Sequence, residues 1–310
     1  MPLYKAHSLK IHVDGGSAVI IPDIQSLGLE QNPNLMAELT AAYTTPTHVA
    51  LVARKILGSM QSFALATLLD TIGVAGLCIT SATNPGVTMY FQKFDDNGCP
   101  VSGSAHRSIT IKGGLIYPKT LSCQHQQDAS LQVEIAGIKT TGNAAVVVSD
   151  VAALPTITVA SARWTLGPIT IGGVALAEFD DVEIDFGNEV QTRAVESNVD
   201  DTHIEQRSTS PKATIKGIDP AYFSDAQVPL GGLVATHAAD SIIFRKRTQD
   251  GDNFVAAGTA EHIQFTIGGL AANTSLRGQA QRATESSIQI VLARDSSGNQ
   301  PLIVDTTASY

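Results

Sequence analysis

The sequence predicts an all-β protein made of two copies of one domain, each a β-sandwich or partial barrel with one short helix. Three observations lead to this prediction. Short segments alternate apolar and polar residues, Gly, Asn, Asp and Pro separate those segments, and the second half of the chain repeats the order of the first. Alternation with a period of two is typical of strands that are buried on one face.

The repeat is visible in several short motifs. Thr47-His48 recurs as Thr202-His203, an offset of 155 residues (202 − 47). Gly113-Gly114-Leu115 recurs as Gly268-Gly269-Leu270 at the same offset. A repeat of this length indicates a whole domain, because the units of solenoid proteins are only about 20–50 residues long. The predicted division is a first domain over residues 1–150, a linker over 151–162 and a second domain over 163–310.

Strands and turns follow from local patterns. Residues 108–111, 131–135 and 287–292 are predicted strands, because apolar side chains occupy every second position. Asp95-Asp96-Asn97-Gly98 and its counterpart 249–252 are predicted turns, since Asn and Gly tolerate the positive φ angles of tight hairpins. The linker is apolar with a single proline, so we expect an ordered, extended segment rather than a flexible tether.

One helix is predicted in the middle of each repeat. The first covers residues 62–72. Ser62 is its N-cap, and the apolar residues that follow form one face of the helix. The second opens at Asp219-Pro220, where Asp is the cap and Pro takes the first helical position.

Composition narrows the function. The formal net charge is −9, so a basic nucleic-acid-binding groove is not expected. Only 16% of residues are charged, against about 25% in typical domains, which indicates that much of the surface is buried between subunits. The N-terminus lacks the pattern of a signal peptide, and no segment is long and apolar enough to span a bilayer. We therefore expect no membrane partner.

Catalytic signatures are missing from the sequence. None of the short motifs for a phosphate-binding loop, a zinc protease, a paired-thiol site or a nucleophilic serine occurs. The cysteines all lie in the first half, which favours inert buried thiols over a metal site. His48 and His203 hold equivalent positions, which we interpret as structural rather than as a paired ligand site. The prediction is a protein that is not an enzyme and needs no cofactor.

An acidic row stands out near the start of the second repeat. Residues 174–185 are predicted as one strand, at whose end Asp181, Glu183 and Asp185 alternate with apolar residues. Such carboxylates could hold a hard cation. Since alternation places all three on one face of a strand, the pattern favours an acidic, water-facing strand face.

Two long polar segments precede the Thr-His motifs, at residues 29–45 and 185–201. Both are long for surface connections in a compact β domain, and such excursions usually serve function. We interpret them as hairpin arms that reach a neighbouring subunit. The candidate interface residues are Leu35, Met36, Leu39 and Tyr43 in the first arm, and Glu189, Val190, Arg193 and Val195 in the second.

The order of motifs in the second repeat is distinctive. Gly172-Gly173-Val174 leads to Ile184-Asp185-Phe186-Gly187-Asn188, then to a long polar hairpin, Thr202-His203-Ile204 and the predicted helix. This order resembles the major tail tube protein of long-tailed bacteriophages, in its two-domain form. The first repeat departs from it, because Leu29-Glu30-Gln31-Asn32-Pro33 replaces the Ile-Asp-Phe-Gly-Asn run.

The resemblance implies a structural virion protein, assembled in the host bacterial cytoplasm. In that family, rings of six tube domains stack around a lumen that passes DNA, and three two-domain chains make one such ring. The implied partners are further copies of the chain, other tail proteins such as tape measure, terminator and baseplate, and genomic DNA that passes without specific binding. Part of the row Asp181, Glu183 and Asp185 would then line or approach the lumen. If that strand face points outward instead, the tube would have an acidic exterior.

Two alternatives remain open from the sequence. The chain could be another ring component of a phage tail, such as a baseplate hub or terminator. It could also be a tandem β-sandwich protein that binds carbohydrates or hydrolyses them, although one Trp and 5% aromatic residues are few for stacking on sugars.

Overall fold

The computed structural model describes residues 3–13, 17–38, 45, 48–79, 86–140, 142, 144–157, 162–176, 178–195, 198–218, 236–248, 253–279, 282–294, 298 and 300–310. Over this part the chain is nearly all β, as the sequence predicted. The first half contains β1 (Leu3–Ile11), β2 (Val19–Ile21), β3 (Ile24–Glu38), β4 (His48–Ser62), α1 (Leu65–Ile72), β5 (Leu77–Ile79), β6 (Val87–Phe94), β7 (His106–Ile111), β8 (Gly114–Gln124), β9 (Ser130–Gly137) and β10 (Val146–Ala152). The second half contains β11 (Trp164–Ile171), β12 (Val174–Leu176), β13 (Asp181–Asp185), β14 (Asn188–Arg193), β15 (His203–Thr209), β16 (Lys212–Lys216), β17 (Thr236–Lys246), β18 (His262–Gln279), β19 (Arg282–Leu292) and β20 (Leu302–Ala308).

The first half is a sandwich of two antiparallel layers. One layer has the order β10-β7-β6-β1-β2, and the other has the order β8-β9-β4-β3. The layers pack closely: a Cβ added to Gly58 of β4 would come within 2.8 Å of Met89 Cε on β6. Helix α1 buries Leu65, Leu68 and Leu69 in the same core.

The second half repeats these strand pairings. The five-strand layer reappears as β20-β18-β17-β11-β12, and the four-strand layer as β18-β19-β16-β13. The register repeats as well. Leu27 pairs with Met60, and Val182 pairs with Ile215, each partner lying 155 residues further along (182 − 27 and 215 − 60). The duplication seen in short motifs therefore extends to the pairing of individual residues.

Among the described strands, one pair joins the two halves. β8 of the first half pairs with β13 of the second, from Thr120 opposite Asp185 to Gln124 opposite Asp181. The two four-strand layers thus become one continuous eight-strand sheet, in the order β3-β4-β9-β8-β13-β16-β19-β18. Buried apolar residues from both halves form one contiguous core beneath it.

The repeated Gly-Gly-Leu motif marks the crossing from one layer to the other. Gly114 has a φ of 140°, and a Cβ there would lie 1.9 Å from the carbonyl oxygen of Ala136. Only glycine fits such a backbone approach. In the second half the counterpart pair Gly268-Gly269 lies inside β18, which itself runs from one layer into the other.

The predicted strands at 108–111, 131–135 and 287–292 are confirmed as parts of β7, β9 and β19. The predicted turn at residues 95–98 is confirmed as well. Gly98 has a φ of 79°, and Asp95 Oδ1 accepts hydrogen bonds from the backbone N–H groups of Asn97 and Cys99. Its counterpart at 249–252 and the second predicted helix lie outside the described residues.

Three boundaries differ from the prediction. α1 begins at Leu65 rather than at Ser62, because Ser62 pairs with Ile24 and Leu131 and so stays extended. Residues 174–185 are two strands in different layers, because β12 closes a hairpin on β11 and the chain then crosses to β13 beside β8. The last strand of the first half continues to Ala152, two residues into the predicted linker.

No helix in the described ranges is long and apolar enough to cross a membrane.

Candidate functional site: open sheet edges and two hairpin arms

The eight-strand sheet ends in two open edges. Among the described strands, none pairs with the outer edge of β3 over residues 26–30, or with the outer edge of β18 over residues 275–279. These two segments are the counterparts of 181–185 in β13 and 120–124 in β8, which pair with each other inside the chain. An open edge presents unpaired backbone N–H and C=O groups, and therefore templates pairing with another strand.

Equivalent side chains are buried where β8 pairs with β13 and exposed at the free edge of β18. Leu121 of β8 lies opposite Ile184 of β13, and its side chain is 0% exposed. Its counterpart in β18 is Leu276, which is 40% exposed. The counterpart of Ile184 is Leu29, at the opposite edge of the sheet. Each open edge thus carries an apolar residue where the junction has a buried leucine–isoleucine pair.

The outer face of this sheet is polar. Val182 and Ile184 are buried, whereas Asp181, Glu183 and Asp185 are half-buried on the opposite face, which is the predicted alternation. On the neighbouring strands that face carries hydroxyl and amide groups, and a shallow groove in it is lined by Ser26, Ser59, Gln61, Thr120, Ser122, Ser130 and Gln132, among others.

Lys216 of β16 partly neutralises the negative charge of the acidic row. Lys216 Nζ lies 3.0 Å from Asp181 Oδ2 and 3.7 Å from Glu183 Oε2. The hydrogen bond with Asp181 is the main reason that the pKa of Lys216 is raised. The described part of the chain contains no group of three or more His, Cys, Asp or Glu side chains that could hold a metal ion. The row is therefore a partly neutralised polar strip.

The second arm, formed by β14 and β15, lies on the first half of its own chain. Asn188 is buried, and its Nδ2 donates to the carbonyl oxygens of Val74 (3.1 Å) and Pro118 (3.0 Å). Gln206 Nε2 donates to the carbonyl of Ala75 at 3.1 Å. We expected this arm to reach another subunit. That stays a prediction. Within the single chain the arm contacts the first half, because β13 extends the sheet of that half and carries the following hairpin with it.

An apolar contact supports these hydrogen bonds. Val190 and Ile204 of the second arm pack against a small buried cluster of Leu115, Tyr117 and Ala136 on the outer face of the sheet. Burial beneath the arm, together with a hydrogen bond to Glu134, raises the pKa of Tyr117.

The tip of the second arm is tied to the first arm. Arg54 Nε and Nη2 donate to the carboxylate of Asp200 at 2.6 and 2.9 Å, and the Arg54 backbone N–H donates to the carbonyl of Val199. The hydrogen bond with Arg54 lowers the pKa of Asp200. Thr192 donates a further hydrogen bond to Asp201.

Of the remaining candidate residues of the second arm, two are exposed and one is half-buried. Glu189 is exposed and accepts a hydrogen bond from Ser208 Oγ. Arg193 is exposed, and its carbonyl accepts a hydrogen bond from the N–H of Thr202. Val195 is half-buried and lines a groove with Ile138 and Lys139 of the first half.

In the structure the first arm is the part of the β3–β4 hairpin that projects beyond the sheet, residues 31–38 and 48–55, so it extends past the predicted end at residue 45. β9 accompanies β4 only from Ile56 onward, so the arm is a two-strand ribbon. Leu35 and Met36 are exposed on it, consistent with a surface that could meet another molecule. Leu39 and Tyr43 lie outside the described residues.

Two buried histidines have a structural role that the sequence did not show. His106 Nδ1 accepts a hydrogen bond from the backbone N–H of Lys93, and His262 Nδ1 accepts one from Lys246, both at 3.1 Å. The two contacts are equivalent in the repeat. A histidine recurs at nearly the same place in each repeat, but its partner lies more than ten residues away in the sequence, so strand pairing was needed to identify the contact.

The prediction of buried thiols holds for one cysteine of three. Cys123 is buried, and burial raises its pKa to about 11. Cys78 and Cys99 are exposed.

No protein-family model matches this sequence, and no curated protein matches it either.

Proposed function

We propose that this chain is a structural subunit that assembles with itself, head to tail, through the two open edges of its eight-strand sheet. One observation carries the proposal: the pairing of β13 with β8 is an internal example of the same contact. Since β3 corresponds to β13 and β18 corresponds to β8, β3 of one copy can pair with β18 of the next. The matching register places Leu29 opposite Leu276.

The form of the assembly follows from the two edges being different. A contact between unlike surfaces generates a closed ring or an open helix. If the contact between chains copies the junction within the chain, all domains of the assembly become nearly equivalent. The resemblance to two-domain tail tube proteins then favours a ring of three chains with six similar domains.

The polar outer face of the sheet fits the wall of a channel for DNA. It carries hydroxyl, amide and carboxylate groups, and Lys216 on it is engaged by Asp181 and Glu183. On β13 and β16 the three carboxylates outnumber the two lysines of this face, Lys212 and Lys216, so few counterions would be released on contact with phosphates and the affinity for passing DNA would be low. We therefore place the subunit in the tail tube of a long-tailed phage, with a ring-shaped hub or terminator as the second candidate.

The test is native mass spectrometry and negative-stain microscopy of the purified protein and two variants. Leu276→Lys adds a charge at the β18 edge, whereas Val151→Lys adds the same charge at an exposed site on β10. We expect rings of three chains that stack into tubes for the parent and for V151K, and a folded monomer for L276K. Rings that do not stack would favour the hub or terminator.

Contrary outcomes are equally distinct. A parent chain that stays monomeric at micromolar concentration would refute self-assembly. Normal rings formed by L276K would show that the β18 edge is not the contact.

A further inference from the structure

Three exposed apolar side chains cluster on the first arm. Leu35 is 57% exposed, Val49 58% and Leu51 42%. Leu35 and Leu51 are cross-strand partners, and Val49 lies two residues from Leu51 on the same strand, so all three share one face of the ribbon.

The two arms are equivalent residue by residue. Both have a bulge at the same place, between Asn34 and Leu35 in the first arm and between Glu189 and Val190 in the second. Leu35 pairs with Leu51, and Val190 pairs with Gln206 at the same offset of 155 (190 − 35 and 206 − 51). Val49 corresponds in the same way to Ile204.

The counterparts of the three exposed residues are among those that hold the second arm in place. Val190 and Ile204 pack on Leu115, Tyr117 and Ala136, and Gln206 donates a hydrogen bond to the carbonyl of Ala75. The face of the second arm that is docked is therefore the face that the first arm leaves exposed.

We infer that the first arm docks, through Leu35, Val49 and Leu51, on the second half of another copy of the chain. The receiving surface is the counterpart of the one beneath the second arm. There the cross-strand pair Leu115–Ala136 corresponds to the cross-strand pair Leu270–Val291 of β18 and β19. This inference rests on the proposed self-assembly and names a second contact between the same two copies.

The occupant is another copy because the arm cannot reach this surface in its own chain. β3 and β18 are at opposite ends of the eight-strand sheet, seven strand spacings apart. At about 4.8 Å per spacing, the two edges are roughly 34 Å apart along the sheet. Pairing β3 with β18 of a neighbour brings the first arm to the neighbour's second half, as pairing β13 with β8 brings the second arm to the first half.

The experiment places a photocrosslinking residue, benzoylphenylalanine, at Val49 and, as control, at Met36 in the assembled protein. Met36 is also exposed, but its counterpart Gln191 is an exposed residue of the second arm. We expect irradiation to join position 49 to peptides around Leu270 and Val291 of another copy, as identified by mass spectrometry. The control should give little of this product.

A second measurement uses Leu35→Ser, Val49→Ser and Leu51→Ser together, with Met36→Ser as control. Because these side chains are exposed in the single chain, the triple variant should fold normally, yet its rings should dissociate at a concentration at least about tenfold higher. Rings that form normally with crosslinks only elsewhere would overturn the docking but leave the assembly intact. A chain that never assembles would overturn both.

Discussion

At the scale of single residues, one buried amide holds the second arm to the sheet. Asn188 donates to the carbonyls of Val74 and Pro118, and its Oδ1 accepts a hydrogen bond from Gln206. We predict that Asn188→Ala lowers the free energy of unfolding by about 1–3 kcal/mol, since it leaves buried carbonyls without donors. Urea denaturation measures this, and Gln191→Ala on the exposed face should change it by less than about 0.5 kcal/mol.

The ion pair at the arm tip predicts a dependence on pH. The pKa of Asp200 is lowered from its usual 3.8, mainly by the hydrogen bond with Arg54. A carboxyl group whose pKa is lowered by folding stabilises the fold above its unfolded pKa, and this contribution is lost as pH falls through the lowered value. We therefore expect faster hydrogen exchange in residues 198–209 below about pH 4, after correction for intrinsic rates.

Asp200→Asn is the matched variant for this test. It should show raised exchange at neutral pH already, with little further change on acidification. Equal acid sensitivity in the parent and in D200N would mean that another group controls the tip.

Residue patterns could be predicted where they depend on alternation alone. That Asp181, Glu183 and Asp185 share one face of a strand follows from a period of two. The partial neutralisation by Lys216 does not, because it depends on which strand lies beside β13. The same holds for His106 and His262, whose partners come from a neighbouring strand.

At the scale of elements, the crossing between layers depends on a single glycine. Gly114 has a positive φ, and its Cα faces the carbonyl of Ala136. We predict that Gly114→Ala costs about 3 kcal/mol or more, because the methyl group displaces the paired strand. Gly258→Ala is the control, since a Cβ there meets no atom within 4 Å. Thermal unfolding compares the two, and equal midpoints would contradict this account of the crossing.

Element boundaries show the limits of pattern reading. Residues 174–185 alternate well enough for one strand, yet they form two, because the chain changes layers between β12 and β13. The arms were predicted from length and polarity, but their different states were not. The second arm is docked on the first half, because β13 pairs with β8 of that half. The first arm is exposed, because no domain precedes the first half in the described chain.

At the scale of the whole molecule, duplication explains both the closed junction and the open edges. Two sandwiches joined through β8 and β13 leave the same pair of surfaces free at the ends of the sheet. The order of repeats in the sequence predicted two equivalent units. The continuous sheet that joins them required the structure, because no sequence pattern specifies which edge strands meet.

The most direct test of head-to-tail assembly is a cryo-electron microscopy reconstruction of the assembled particle, at a resolution that traces strands. We predict three chains per ring, with β3 of each chain antiparallel to β18 of the next and Leu29 opposite Leu276. A particle in which both edges stay unpaired, or a ring of six chains, would contradict the account.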